Sequence, residues 1–136
     1  MITTNTYLNF PGTCEEAFKT YEKLLGGKIG LIVRFSEAPG MPIDPGFEDK
    51  IMHIRMSLGD TALMGSDAPP SRYKQPQGFS VCASTDDPAE AERIFAGLAQ
   101  GGAVDMPIQE TFWAKRFGMC TDRFGIAWMI NCEKES

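Results

Sequence analysis

Two segments of this chain carry the same punctuation. Thr13-Cys14-Glu15-Glu16 opens an apolar-periodic stretch that Gly26-Gly27 closes, and Asp87-Pro88-Ala89-Glu90 opens another that Gly101-Gly102 closes. Thr13 and Asp87 are 74 positions apart, Gly26 and Gly101 are 75. A threonine or aspartate with a glutamate three positions on reads as a capping box, which satisfies orphan amides at a helix start. Proline is at home in the first helical turn, and glycine past the last turn takes the left-handed conformation at low cost. Both stretches are therefore expected to be helices. Ala17, Tyr21, Leu24 and Leu25 would form the buried face of the first, and Ala91, Ile94, Phe95 and Leu98 that of the second. Two agreeing offsets favour duplication of one module over an unduplicated sandwich.

Runs of strand composition surround each helix. They fall at 3–10, 28–35, 50–58 and 61–66 in the first half, and at 79–85, 103–108, 115–121 and 126–132 in the second. Gly59-Asp60, with glycine first, suits the type II′ turn of a hairpin. Within 50–58, Met52, Ile54, Met56 and Leu58 alternate with His53, Arg55 and Ser57. One face of that strand is oily and suited to pack on a helix; the other carries a histidine and an arginine. The expected fold class is α+β: tandem βαβββ modules, 1–67 and 78–132 with a linker at 68–77, forming a cupped mixed sheet around a cavity within one domain of 1–136. The proline-rich segments 36–49 and 67–78 are candidate lids, or plain connectors.

The bulk numbers exclude some function classes. Hydrophobic residues make up 43% of 136, enough for a packed core. No uninterrupted apolar run of about 18 residues is present, so no membrane span is expected, and the start MITTNTYLNF lacks the basic and apolar regions of a signal peptide. A net charge of −5 disfavours a phosphate backbone as partner, so no nucleic acid is expected. Cys14, Cys82, Cys120 and Cys132 show no CxxC spacing, and reduced thiols in a cytoplasmic protein are the simplest reading. Cys14, at a helix start, is either a thiol of lowered pKa or a structural cysteine.

A few residues can do chemistry. His53, the one histidine, is a candidate general acid or base, or a hydrogen bonder to a ligand. Glu110, in the polar and aromatic loop before the strand 115–121, can act as base, orient His53 or serve as a metal ligand. Arg55 can clamp an anionic group, or pair with one of the chain's many acids. Trp113, with Phe112, Phe124 and Trp128, can wall a site for a flat ligand, core packing being the better reading for Trp128. Met41, Met52, Met56 and Met64 suit a core or a pocket lining.

DKIMHIRMSLGDTALMGSD at 49–67, AERIFAGLAQGG at 91–102 and QETFWAKRFGMCTDRFGIAWMINC at 109–132 resemble the glyoxalase, bleomycin-resistance and extradiol-dioxygenase (vicinal oxygen chelate) superfamily. Within it they are most similar to the PhnB-like, or 3-demethylubiquinone-9 3-methyltransferase-like, branch. The resemblance implies a cupped sheet per module, a small-molecule ligand and homodimers. In metal-using members it implies a divalent ion held by histidine, glutamate or glutamine from the first and last strands of each module. Those strands here offer Asn5, Tyr7, Asn9, Met64, Ser66, Ser80, Cys82, Met129 and Asn131, none of them an imidazole or a carboxylate. The usual metal site is therefore expected to be missing, with neither metal nor cofactor. No glycine-rich loop follows a strand in a doubly wound pattern, so the methyltransferase label gains no support from the residues. The expected function is small-molecule binding, its reaction unassigned. The alternatives are a divalent-metal-dependent lyase, isomerase or dioxygenase using His53 and Glu110, and a non-catalytic drug- or metabolite-sequestering protein.

Overall fold

The computed structural model describes residues 1–40 and 42–134; Met41 lies outside the described residues. The chain divides into two compact units, Met1–Gln75 and Pro76–Ser136. The first contains strand β1 (Thr6–Phe10), helix α1 (Cys14–Leu25), β2 (Lys28–Arg34), β3 (Ile51–Leu58) and β4 (Thr61–Asp67). The second contains β5 (Val81–Ser84), α2 (Pro88–Ala99), β6 (Ala103–Gln109), β7 (Ala114–Thr121) and β8 (Ala127–Glu133). The sheets have orders β1-β4-β3-β2 and β5-β8-β7-β6. In each, the first strand pairs parallel with the last and the remaining pairs are antiparallel. The duplicated α+β module is thus present, element for element.

Each helix buries one stripe on one face of its own sheet. In α2 that stripe is Ala91, Ile94, Phe95 and Leu98, as the periodicity requires. In α1 it is Cys14, Ala17, Phe18 and Tyr21, while Leu24 and Leu25 are only half-buried. The stripe lies nearer the helix start than expected because Gly65 on β4 lets the helix come close there. A Cβ on Gly65 would stand 2.7 Å from Phe18 Cε1 and 2.9 Å from the Leu8 carbonyl oxygen. Gly118 on β7 plays the same part in the second unit, 2.8 Å from Phe95 Cε2 by the same measure. Gly26 ends α1 in the left-handed region, with φ 74°.

The start of α1 is not held by the expected box. The Thr13 side chain makes no capping bond, and its buried Oγ1 has no partner. The amides of Gly12 and Cys14 instead donate to Oδ1 of Asp67, at 3.0 and 2.9 Å, and the amide of Ile51 donates to Oδ2 at 2.9 Å. Because β4 lies beside β1, the carboxylate at its end reaches the helix entrance before a local side chain is needed. In α2, Asp87 does cap, accepting from the Ala89 amide at 3.0 Å. Glu90 closes that box through an intermediary: the Asp87 amide donates to Thr85 Oγ1, whose hydroxyl donates to Glu90 Oε1 at 2.6 Å.

Some strand limits differ as well. β1 starts at Thr6 rather than 3, and β5 covers only Val81–Ser84. A bulge in β3 places Ile51 opposite Arg34 and His53 opposite Val33, leaving Met52 as the extra residue. Ile51 therefore takes the core position expected of Met52, which is half-buried. Gly59 has φ 57° and no non-glycine residue among the described residues has positive φ, so the β3–β4 turn fits type II′ rather than I′. The segment after β2 folds back on its own start: Ser36 N donates to Glu48 O, Phe35 N to Lys50 O, and the rings of Phe35 and Phe47 meet edge to face at 6.3 Å.

Candidate functional site

The helix covers one face of the first sheet, and strand alternation sends the other set of side chains outward. Register then decides which of them are neighbours. Tyr7 pairs with Met64 and Met64 with Arg55, so these stand in one row across β1, β4 and β3. Asn9 pairs with Ser66, and Val33 with His53. Tyr7, Asn9 and Arg55 are exposed, while His53, Met64 and Ser66 are half-buried. Opposite them Leu8, Phe10, Ile54 and Met56 are buried against the helix.

The polar groups on this face are linked. Tyr7 Oη lies 3.2 Å from His53 Nδ1, and the two rings stack with centroids 5.7 Å apart and planes 27° from parallel. Where the tyrosine hydroxyl donates to Nδ1, neutral His53 keeps Nε2 as a donor. Ser66 Oγ donates to Asn9 Oδ1 at 3.4 Å. Arg55 Nη1 reaches only the Met64 sulfur, at 3.8 Å, and no carboxylate pairs with its guanidinium among the described residues. The competing role for Arg55, an ion pair with one of the chain's acids, is not taken up among the described residues. Arg34, by contrast, is fully engaged. Its two guanidinium nitrogens donate to Glu15 Oε1 and Oε2 at 3.1 and 2.8 Å.

The other two expected site residues belong to the second unit. Glu110 follows β6; its carboxylate, two-thirds exposed, sits 3.4 Å from Lys134 Nζ. Trp113 is 46% exposed and packs edge to face on Phe112 and on Phe117 of β7, with centroids 4.8 and 5.4 Å apart. Trp128 and Phe124, considered for an aromatic wall, are buried in the core. Trp128 Nε1 donates to Asp122 Oδ2 at 2.9 Å, while Oδ1 of the same carboxylate accepts from the amides of Phe124 and Ile126. Around the β6–β7 turn exposed Phe112 and Trp113 instead gather with half-buried Phe117.

Tyr7 is the residue the sequence reading underrated. In sequence it stands only among the positions that a metal ligand would fill, although its outward position in Thr6–Phe10 follows from simple alternation. The donor set of the outward positions on β1, β4, β5 and β8 (Tyr7, Asn9, Met64, Ser66, Cys82, Ser84, Met129 and Asn131) does not fit a hard divalent ion, which wants imidazole or carboxylate. Among the described residues no three or more His, Cys, Asp or Glu gather in one place.

Residues 2–131 match the family described as 3-demethylubiquinone-9 3-methyltransferase, the PhnB-like family of the sequence reading. The chain belongs to this family. It is 36% identical to protein YjdN of Escherichia coli K12 over 95% of this chain and 94% of that one. It is 47% identical to protein PA1353 of Pseudomonas aeruginosa, whose crystal structure it matches with a TM-score of 0.91 over 99% of this chain and 100% of that one. The glyoxalase-like fold is shared more widely. A glyoxylase/bleomycin resistance protein/dioxygenase domain from Frankia superposes with a TM-score of 0.65 at 14% identity, over 98% of each chain. As a PhnB-like protein this chain keeps the superfamily's paired βαβββ modules and carries none of its usual chelating residues at the strand positions above. No helix among the described residues is long and apolar enough to cross a membrane.

Proposed function

We propose that this PhnB-like protein binds a small organic anion on the outer face of the β1-β4-β3-β2 sheet. The observation that carries this reading is the Arg55 guanidinium: it is exposed, without a carboxylate partner among the described residues, and two positions along β3 from the Tyr7–His53 pair. Charge-assisted bonds from Arg55 would hold the anionic end. His53, donating through Nε2, would bond the ligand or exchange a proton with it. Glu110 and Trp113 belong to the second unit and are proposed there by themselves, Glu110 as a proton acceptor and Trp113 as a flat apolar contact. The reaction class stays unassigned, and sequestration without chemistry is separated from catalysis by whether product appears. No step is routed through a divalent metal, because the outward donor set does not suit one. We further propose a cytoplasmic homodimer, with light scattering on the purified protein as the test of the dimer.

A thermal-shift screen of small carboxylates and phosphate esters tests the ligand reading, since a ligand of the native state raises the melting temperature with its concentration. Hits are expected to lose their shift in Arg55→Ala and to weaken in His53→Ala. Hits that survive both substitutions undiminished would place the ligand elsewhere.

A further inference from the structure

The outer face of the second sheet carries a row of sulfur. Register pairs Cys82 on β5 with Met129 on β8, Met129 with Met119 on β7, and Met119 with Met106 on β6. Paired residues in a sheet point to the same side, so four sulfur-bearing side chains stand abreast on four adjacent strands. The alternating set on β8, Trp128, Ile130 and Cys132, is buried, so the row lies on the side away from α2. It is accessible: Cys82 is exposed, Met106 is 37% exposed, and Met119 and Met129 are half-buried. Among the described residues the polar atom bonded to Cys82 Sγ is Ser84 Oγ, at 3.9 Å.

Neighbours in such a row have Cα atoms about 4.5–5.5 Å apart. Methionine has three rotatable bonds beyond Cα, so adjacent sulfurs can swing to a common point without moving the backbone. Thioether and thiolate sulfur are soft donors that select Cu(I) and its like over the hard divalent ions this protein is poorly equipped to hold. We infer that Cys82, Met129 and Met119 form a binding site for one soft monovalent cation of the Cu(I) or Ag(I) type. On binding, the Cys82 thiol releases its proton to solvent and the thiolate bonds the metal. The two thioethers bind as neutral donors, so ion and thiolate together carry no net charge. The inference uses residues of the second sheet alone and does not depend on the ligand reading of the first.

The test uses the intact reduced chain. Cu(I) is titrated in competition with bathocuproine disulfonate, and Ag(I) is tested for protection of Cys82 against a thiol reagent. One equivalent per chain is expected, with protection complete at that point. Met129→Leu and Met119→Leu should each weaken Cu(I) by more than about tenfold, Cys82→Ala should remove the site, and Met52→Leu on the other sheet should leave the Cu(I) affinity unchanged. Methionine-to-leucine changes conserve volume, so folding should persist, and circular dichroism checks it. X-ray absorption of the wild-type complex reads the ligands independently of any variant, with three or more sulfur neighbours expected. A single sulfur neighbour, or unaltered affinity in both methionine variants, would reduce the site to an isolated thiol and overturn the inference.

Discussion

The Tyr7 hydroxyl lies 3.2 Å from Nδ1 of His53, and the two rings stack with centroids 5.7 Å apart, although 46 positions separate them in the chain. The contact holds the imidazole orientation and, where the hydroxyl donates to Nδ1, leaves Nε2 as the nitrogen open to the proposed ligand. Neutral His53 is therefore expected to carry its proton on Nε2. Nitrogen-15 NMR of the single histidine reads this directly. Tyr7→Phe should even out the two tautomers with the fold intact. An Nδ1-protonated imidazole in the wild type would reverse the assigned donor.

Asp67 is expected to contribute more to stability than any other side chain at the α1 entrance. It is 4% exposed and accepts amides from Gly12, Cys14 and Ile51. Asp67→Ala strands two buried donors and a part-buried one, and should cost about 3 kcal/mol in urea denaturation. Asp122→Ala, which releases the Phe124 and Ile126 amides and the Trp128 indole, should cost a similar amount, about 3 kcal/mol. Thr13→Ala, at a side chain that makes no capping bond, should fall well short of the roughly 1 kcal/mol usual for a threonine N-cap.

Thiol chemistry should report one cysteine. Cys82 is exposed, and Cys14, Cys120 and Cys132 are buried. Burial, with Asp67 and Glu15 adding to it, pushes the Cys14 thiol well above its ordinary range, so the helix start does not activate it. Burial, with Asp122 and Asp105, pushes Cys120 up to about 11. The thiolate is the reactive form. One fast equivalent with Ellman's reagent at neutral pH is expected, absent in Cys82→Ser, the other three appearing only on unfolding.

The Glu15–Arg34 pair gives a pH signature. Its bidentate bonds to Arg34 lower the Glu15 carboxyl from the ordinary 4.5 to about 2, with Lys19 assisting. A depressed folded-state value stabilises the fold above the unfolded value, and that stabilisation is lost as pH falls from about 4.5 through about 2. Both side chains are about one-third exposed, so Glu15→Gln should cost only about 0.5 kcal/mol at pH 7. Denaturation of wild type and variant compared across this range should show the difference vanish at the acid end.

Much of this protein was legible in the chain itself. The repeated glycine pairs and apolar helical periodicities specified two modules, because a helix's apolar stripe and its glycine stop are local features of a few residues. Alternation in 50–58 put His53 and Arg55 on one outward face, because pleating fixes side-chain direction along a strand. Alternation failed only at Met52, where a bulge set by pairing with β2 moved Ile51 into the core. Tertiary structure alone decided what those residues meet. Parallel pairing of β1 with β4 brought Tyr7 to His53 and the Asp67 carboxylate to the mouth of α1, displacing a capping box that the local sequence spelled out. Strand register likewise gathered Cys82, Met129, Met119 and Met106 from four strands into one row. Such contacts join residues tens of positions apart, and their partners are set by strand order and register, which no short window of sequence encodes.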